Sequence, residues 1–414
     1  MFRIPPALKH RRFFYLWLGL LISVAGTQMQ IWAIFWHIRE LTDAPIALGG
    51  VGLARIVPVI IFSLIGGAVA DSLKRTRIIF ITQSTAALLA ITLGLLTQFG
   101  HITIWHIYAL TALNAIAIAF DGPARQALVP NLVPAKDLPN AFSMTSIAFQ
   151  TGSIVGPALS GFAIAYAGQH AVYYINGISF LAVIVALILI GDVPQETKPG
   201  KVVSWAAIRE GIHFIFSKQI ILSTMLLDFV ATFFASANTL MPIVARDILH
   251  VGVVEYGWLS AAQSAGAVTA AVVISQIPEI RKQGPVFLSC VVVFGVATVL
   301  FGMSNTVILA WCALAVTGAA DAVSTIIRNT IRQLQTPDHI RGRMTSVNQI
   351  FFQGGPQLGE VEAGLVAQVF GAPAAIISGG IACVLGMSLI VRKWPALLTY
   401  NGDEHIQTSV STAD

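Results

Sequence analysis

Charge is scarce in this chain: Asp, Glu, Lys and Arg make up 10% of its 414 residues, against 56% hydrophobic. Soluble globular domains normally approach a quarter charged, so a water-exposed globule is excluded. Cysteine is nearly absent. Cys290, Cys312 and Cys383 fall singly inside apolar stretches, without paired or metal-ligand spacing, which excludes a disulfide scaffold and a thiolate metal centre. No nucleotide-binding P-loop and no nucleophile motif occurs, so an ATP-driven pump and a covalent catalyst lose their usual sequence basis. Neither a cofactor nor a metal is expected. His37, His101, His106 and His170 are scattered, whereas a membrane-embedded enzyme needs its reactive side chains clustered at one depth.

What the chain does have is long apolar runs. Twelve can be marked, at about 13–38, 47–70, 78–99, 102–121, 143–167, 171–191, 219–245, 253–277, 285–303, 305–327, 346–370 and 372–393, each long enough to cross roughly 30 Å of hydrocarbon as a helix. The expected fold class is therefore all-α, a polytopic membrane protein whose partner is the lipid bilayer. A net charge of +5 invites a nucleic-acid reading, but every Lys and Arg except Arg39, Arg55 and Arg246 falls in segments on one side of the spans. That bias sets orientation, with both termini cytoplasmic, and no nucleic-acid partner is expected. The first run lacks a small-residue cleavage site and is expected to remain as an anchor.

The longest interior polar segment, residues 192–218, carries Pro194, Pro199 and Gly200 and an amphipathic stretch over 205–216, expected to lie on the membrane face. It divides the chain into a six-span unit at 1–191 and another at 219–395, followed by a cytoplasmic tail at 396–414. Internal similarity supports this division: Asp121 and Asp321 are 200 residues apart, as are Met144-Thr145-Ser146 and Met344-Thr345-Ser346. Gln150-Thr151-Gly152 and Gln353-Gly354-Gly355 follow, then Gly156 and Gly359, offset by 203. Two related six-helix bundles place a site at their interface, with access alternating as one rocks on the other.

Three motifs carry a resemblance. Gly67-x3-Asp71-x3-Arg75, in a charged hinge at 66–77, resembles the loop 2-3 signature of the major facilitator superfamily, with Ser72 and Lys74 departing from it. Gly152-x3-Gly156-Pro157-x3-Gly161 is similar to that superfamily's antiporter motif. Residues 48–55, 122–130 and 245–249 resemble the branch containing the enterobactin exporter and macrolide and drug efflux proteins, and the likeness runs over about 8–395. It implies twelve helices in two pseudo-symmetric six-helix bundles and a proton-coupled exporter, or antiporter, of amphiphilic small molecules such as drugs or siderophore-like compounds. A monomer in a bacterial inner membrane is expected. The alternatives are a lipid or lysolipid flippase of the same fold or, in other classes, a membrane-embedded enzyme or a non-transporting sensor.

Polar groups inside hydrocarbon are costly and mark function. Arg55 and Glu360 come to similar depths in spans two and eleven, which the resemblance implies face each other across the halves, and are expected to pair as an outer gate. Glu362, two residues from Glu360, points elsewhere, so Glu360, Glu362 and Asp228 in span seven are the expected proton carriers. The resemblance implies a cytoplasmic latch in which Asp71 caps helix eleven while Arg75 pairs with Asp121, with Arg281 and Asp321 as a weaker repeat. The expected substrate lining is Gln28, Trp32, Phe35 and Trp36 with Asn114, Phe229, Phe233, Asn238 and Gln263, aromatic faces with neutral amides that suit amphiphilic cargo. The resemblance implies that Gly152, Gly156, Pro157 and Gly161 form a bend sealing against leak, while the spacing by itself also fits ordinary close packing.

Overall fold

The computed structural model describes residues 5–195, 205–235, 237–277 and 280–402. Side chains at 63–64, 67–68, 70–71, 205–208, 211, 237, 338–339, 341–343, 345–347 and 349–350 lie outside that description. The Asp71 carboxylate of the expected latch is one of them. Residues 196–204 of the linker and 403–414 of the tail also fall outside it.

The chain is a succession of long helices: α1 Arg11–Leu41, α2 Pro45–Ser72, α3 Arg75–Gln98, α4 Ile104–Leu128, α5 Leu138–Ala167 and α6 Gln169–Ile190. The connecting helix α7, Trp205–Ser217, leads to α8 Gln219–Phe234, α9 Val253–Ser275, α10 Gln283–Gly302, α11 Val307–Gln335, α12 Asp338–Phe370, α13 Ala372–Lys393 and the short α14 Ala396–Thr399. Eleven helices among the described residues are long and apolar enough to cross a membrane. The twelfth long helix, α12, has 33 residues but carries Gln353, Gln357, Glu360 and Glu362, which dilute its apolar character.

Local chemistry sets the ends. Pro45 opens α2, where its missing N–H costs nothing. Thr103 and Thr306 cap α4 and α11, each hydroxyl accepting a backbone N–H at 3.4 Å. Gly168 and Gly371 close α5 and α12 at φ of +79° and +84°, a conformation that a Cβ penalises.

Two boundaries differ from the hydropathy reading. The seventh span is not one helix: α8 ends at Phe234, and a 3-10 turn over Ala237–Leu240 and a π turn over Val244–Ile248 complete the crossing. Pro242, which has no N–H to donate, sits in this break. The tenth span runs to Gln335, so Arg328 and Arg332 belong to a helix and are buried rather than lying in a surface loop.

Packing repeats. In the first set α1 packs on α5 and α6, α2 on α4, and α3 on α4 and α6. In the second set α8 packs on α12 and α13, α9 on α11, and α10 on α11 and α13. The sets meet chiefly through α2 against α12 and α5 against α9. One apolar core, including Trp32, Phe35, Leu48, Tyr256, Leu314 and Ala363, draws residues from both sets near the ends of the helices remote from the chain termini. Toward the terminal side each set has a core of its own, around Phe13, Ile79 and Leu128 in one and Leu227, Phe287 and Ile331 in the other. The helices thus close together at one end, called outer below, and separate at the other, called inner.

Candidate transport pathway

At the outer end the two sets are tied by polar contacts as well as by apolar packing. Arg39 at the end of α1 reaches Asp247 in the π turn, Nη2 to Oδ2 at 2.8 Å, and also holds Asp43. That hydrogen bond keeps the Asp43 carboxyl below its ordinary range. A carboxyl lowered in this way keeps its charge at mildly acidic pH and loses the tie only as pH falls through the lowered value. The Tyr256 hydroxyl of α9 donates to the Trp32 carbonyl at 2.9 Å, and its ring packs against Trp32 and Trp36 at 6.0 and 5.0 Å between centroids. Trp32, Phe35 and Trp36 therefore sit in this outer plug and not along the inner opening. Inward-facing aromatics near the outer end of α1 meet α9, because that is where the sets touch.

Deeper, Arg55 Nη1 lies 3.4 Å from Glu360 Oε1. Each is ten residues from the outer end of its helix, a depth of about 15 Å at ~1.5 Å per residue. Glu360 is buried, its second oxygen has no hydrogen-bond partner, and backbone fit holds it there: a Cβ on Gly52 would come within 2.3 Å of the Gln357 carbonyl. Glu362 is half-buried and has no hydrogen-bond or ion-pair partner among the described residues.

The expected latch residues are placed differently from the expectation. Asp121 is buried, accepts from Thr82 Oγ1 at 3.0 Å and Gln83 Nε2 at 2.9 Å, and pairs with Arg125 one turn along its own helix. Arg75 is not its partner; that guanidinium donates to the Ala127 carbonyl at 2.9 Å and to Asn131 at 2.7 Å. Arg125 wins because i and i+4 share a helix face. Asp321 stands 3.5 Å from Arg328, two turns along α11, and Arg281 lies exposed in the segment before α10.

Sequence reasoning missed a deeply buried ion pair. Asp228 of α8 and Arg328 of α11 are both 2% exposed and bond directly. Arg332, one turn further, is buried against Asn329 and Asn348. Spacing within α11 held a signal, since Asp321, Arg328 and Arg332 follow one another at intervals of seven and four residues, on one face of a helix carried past residue 327.

The lining divides. A cavity of about 570 Å³ runs up inside the first set from its inner end and is lined by Gln28, Gln83, Asn114, Asp121, Arg125 and Phe149, among others. Gln28 donates to Ser153 at 2.7 Å. In the second set Phe229 stacks on Phe233, with centroids 5.7 Å apart, and meets Phe351 edge-on. Gln263 donates to Thr317 at 3.2 Å, and the Asn238 side-chain carbonyl is buried without a partner. A larger groove of about 720 Å³ between α1, α5 and α6 has exposed Ile22, Val155 and Ile178 on its rim and almost no polar surface. It faces acyl chains, so the polar cavity is the better candidate for cargo.

Gly152 and Gly156 seat α5 on α1, where a Cβ would meet Val24 and Gln28 at 2.6 and 2.5 Å. Gly161 faces α9 instead, with a Cβ only 3.0 Å from the Gly257 Cα. Pro157 lies within an unbroken α5.

Two bundles of like packing, closed at one end and opened at the other around a polar cavity, define a membrane transporter of the major facilitator kind. Residues 5–405 match the transmembrane secretion effector family, and the chain belongs to it, within the efflux branch of the superfamily. It is 25% identical over 370 residues to the multidrug efflux pump Tap of Mycolicibacterium fortuitum, covering 86% of this chain and 90% of Tap. To the enterobactin exporter EntS of Salmonella typhimurium it is 24% identical, covering 79% of each chain. Among solved structures, a bacterial homologue of the human lysosomal transporter Spinster superposes with a TM-score of 0.70 at 14% identity, over 96% of this chain and 97% of that one. The nucleoside transporter NupG gives 0.71 at 14%, over 94% and 99%. The family is one of transporters and not of enzymes.

Proposed function

We propose that this chain is a proton-coupled exporter of amphiphilic small molecules that works by alternating access, as a monomer with both termini cytoplasmic. The observation that carries the reading is the Arg55–Glu360 pair, a charge contact at mid-membrane depth joining the two sets of helices while the outer end is closed. Protonating Glu360 removes that charge–charge attraction and loosens the outer closure, so the charge state of Glu360 is coupled to which end opens. Glu362, on the same helix and without a partner among the described residues, is the second carrier. Asp228 is bound to Arg328 within the second set, so it makes no tie between the two sets and has a lesser part. Arg75 parks on Asn131 in the inward-open form and moves to Asp121 in the outward-open form, with Asp71 capping α12 there.

Export of amphiphiles is supported by the similarity to Tap, a multidrug efflux pump, and EntS, an enterobactin exporter, and by the amides and phenylalanines around the cavity. In inverted membrane vesicles carrying the protein, energised uptake of a fluorescent amphiphilic dye should collapse on adding an uncoupler. Uptake that persists without a proton gradient would remove proton coupling from the proposal.

A further inference from the structure

Resting on the transporter reading, we infer that the cavity inside the first six helices takes the hydroxyl-rich head of an uncharged amphiphile and discriminates against anions. The cavity's lining comes wholly from the first set, on α1, α3, α4, α5, the Val129 turn and Phe180 of α6. A ligand seated there rides with one bundle as the other swings away.

Charge balance argues for a neutral head. The two ionised side chains on the wall, Asp121 and Arg125, neutralise each other. One Asp121 oxygen is already occupied by Thr82 and Gln83, so neither a cation nor an anion finds an uncompensated partner.

Hydrogen-bond polarity argues for donors on the ligand. Gln83 is 4% exposed, and its Nε2 is committed to Asp121 while its Oε1 has no partner. Asp121 locks this orientation, because a flipped amide would set its carbonyl against a carboxylate. The Gln28 amide gives one of its two N–H groups to Ser153, and its carbonyl accepts no hydrogen bond among the described residues. The Gln83 acceptor, fixed in place by Asp121, favours a molecule bearing O–H or N–H groups and disfavours phosphates and carboxylates, which bring acceptors to an acceptor. Exposed Phe142 and Phe149 on the α5 wall suit an apolar or aromatic body joined to that head.

The test uses three probes sharing one ring: phenyl β-glucoside, phenyl phosphate and phenyltrimethylammonium. Each is titrated by calorimetry onto the full chain in lipid nanodiscs. The glucoside should bind at least tenfold more tightly than the phosphate or the ammonium. Gln83→Leu should weaken the glucoside about tenfold, removing the charge-held acceptor. Gln83 also supports Asp121, so Asn114→Leu serves as the second variant: Asn114 lines the cavity but makes no hydrogen bond to the ion pair, and its loss should weaken the glucoside several-fold. Phosphate or ammonium binding as tight as glucoside, no binding of any probe, or unchanged glucoside affinity in both variants would overturn the inference. Uncoupler-sensitive dye uptake in vesicles reports separately on the transporter reading, so each can fail without the other.

Discussion

Asp228 and Arg328 show how a membrane-buried charge is tolerated. Each is almost wholly enclosed, and each is the other's partner. Removing one side of such a pair strands the other, at a cost of about 3–5 kcal/mol, whereas replacing both with apolar residues is often close to neutral. Asp228→Asn should therefore lower the thermal unfolding midpoint in detergent sharply, and the double variant Asp228→Leu, Arg328→Met should recover most of it. A single variant as stable as the wild type would mean the pair carries no such load. Asp228 was legible in the sequence as a membrane-sunk acid, but its partner was not. Hydropathy ends the tenth span before Arg328 because a buried guanidinium scores like a loop cation until its carboxylate is known. The same limit applies to Arg125, which takes Asp121 in place of the more distant Arg75.

At the scale of helices, the contacts between the two sets rest on facing glycines. Gly161 of α5 meets Gly257 of α9, and Gly364 of α12 meets Gly49 of α2, with a built Cβ 3.0 and 3.1 Å from the opposing Cα. Without a water-driven force between helices in lipid, such close backbone approach is what packing has to offer. Gly257→Val should wedge α5 from α9 at the outer end. Cysteines placed at outer positions in that variant should then react faster with a membrane-impermeant maleimide, and an unchanged rate would count against this contact as part of the closure. The internal repeat was partly legible in the sequence, through Gly152 and Gly355, then Gly156 and Gly359. Folding extends the same offset of 203 to Thr103 and Thr306 as helix caps and to Gly168 and Gly371 as left-handed helix ends. Single threonines and glycines are too common to stand out until geometry gives them a shared task. The break after Phe234 was not legible, since Ser236, Asn238 and Thr239 are small neutral polar residues that an unbroken span also carries, and Pro242 is the one residue there without a backbone N–H.

For the whole molecule, the twelve-span, all-α architecture followed from the length and spacing of the apolar runs, whereas the direction of opening did not. The apolar runs carry no record of which end is closed; contacts do, through a joint apolar core with Arg39–Asp247 and Arg55–Glu360 toward the outer end and separate cores at the inner end. For the same reason Trp32, Phe35 and Trp36 read as cavity lining from sequence and lie in the outer plug instead. Under the proposed alternating access the closed outer end is one of two arrangements in equilibrium, and removing charge from a tie made in only one of them shifts the populations toward the other.

The most direct measurement is the distance between spin labels at His101→Cys and Asn305→Cys, both exposed in outer loops of opposite sets, in a background with Cys290, Cys312 and Cys383 replaced. Pulsed electron resonance should give one dominant short distance when Glu360 is intact, and a second, longer population should grow in Glu360→Gln. Superimposable distance distributions with and without the Glu360 charge would contradict the account.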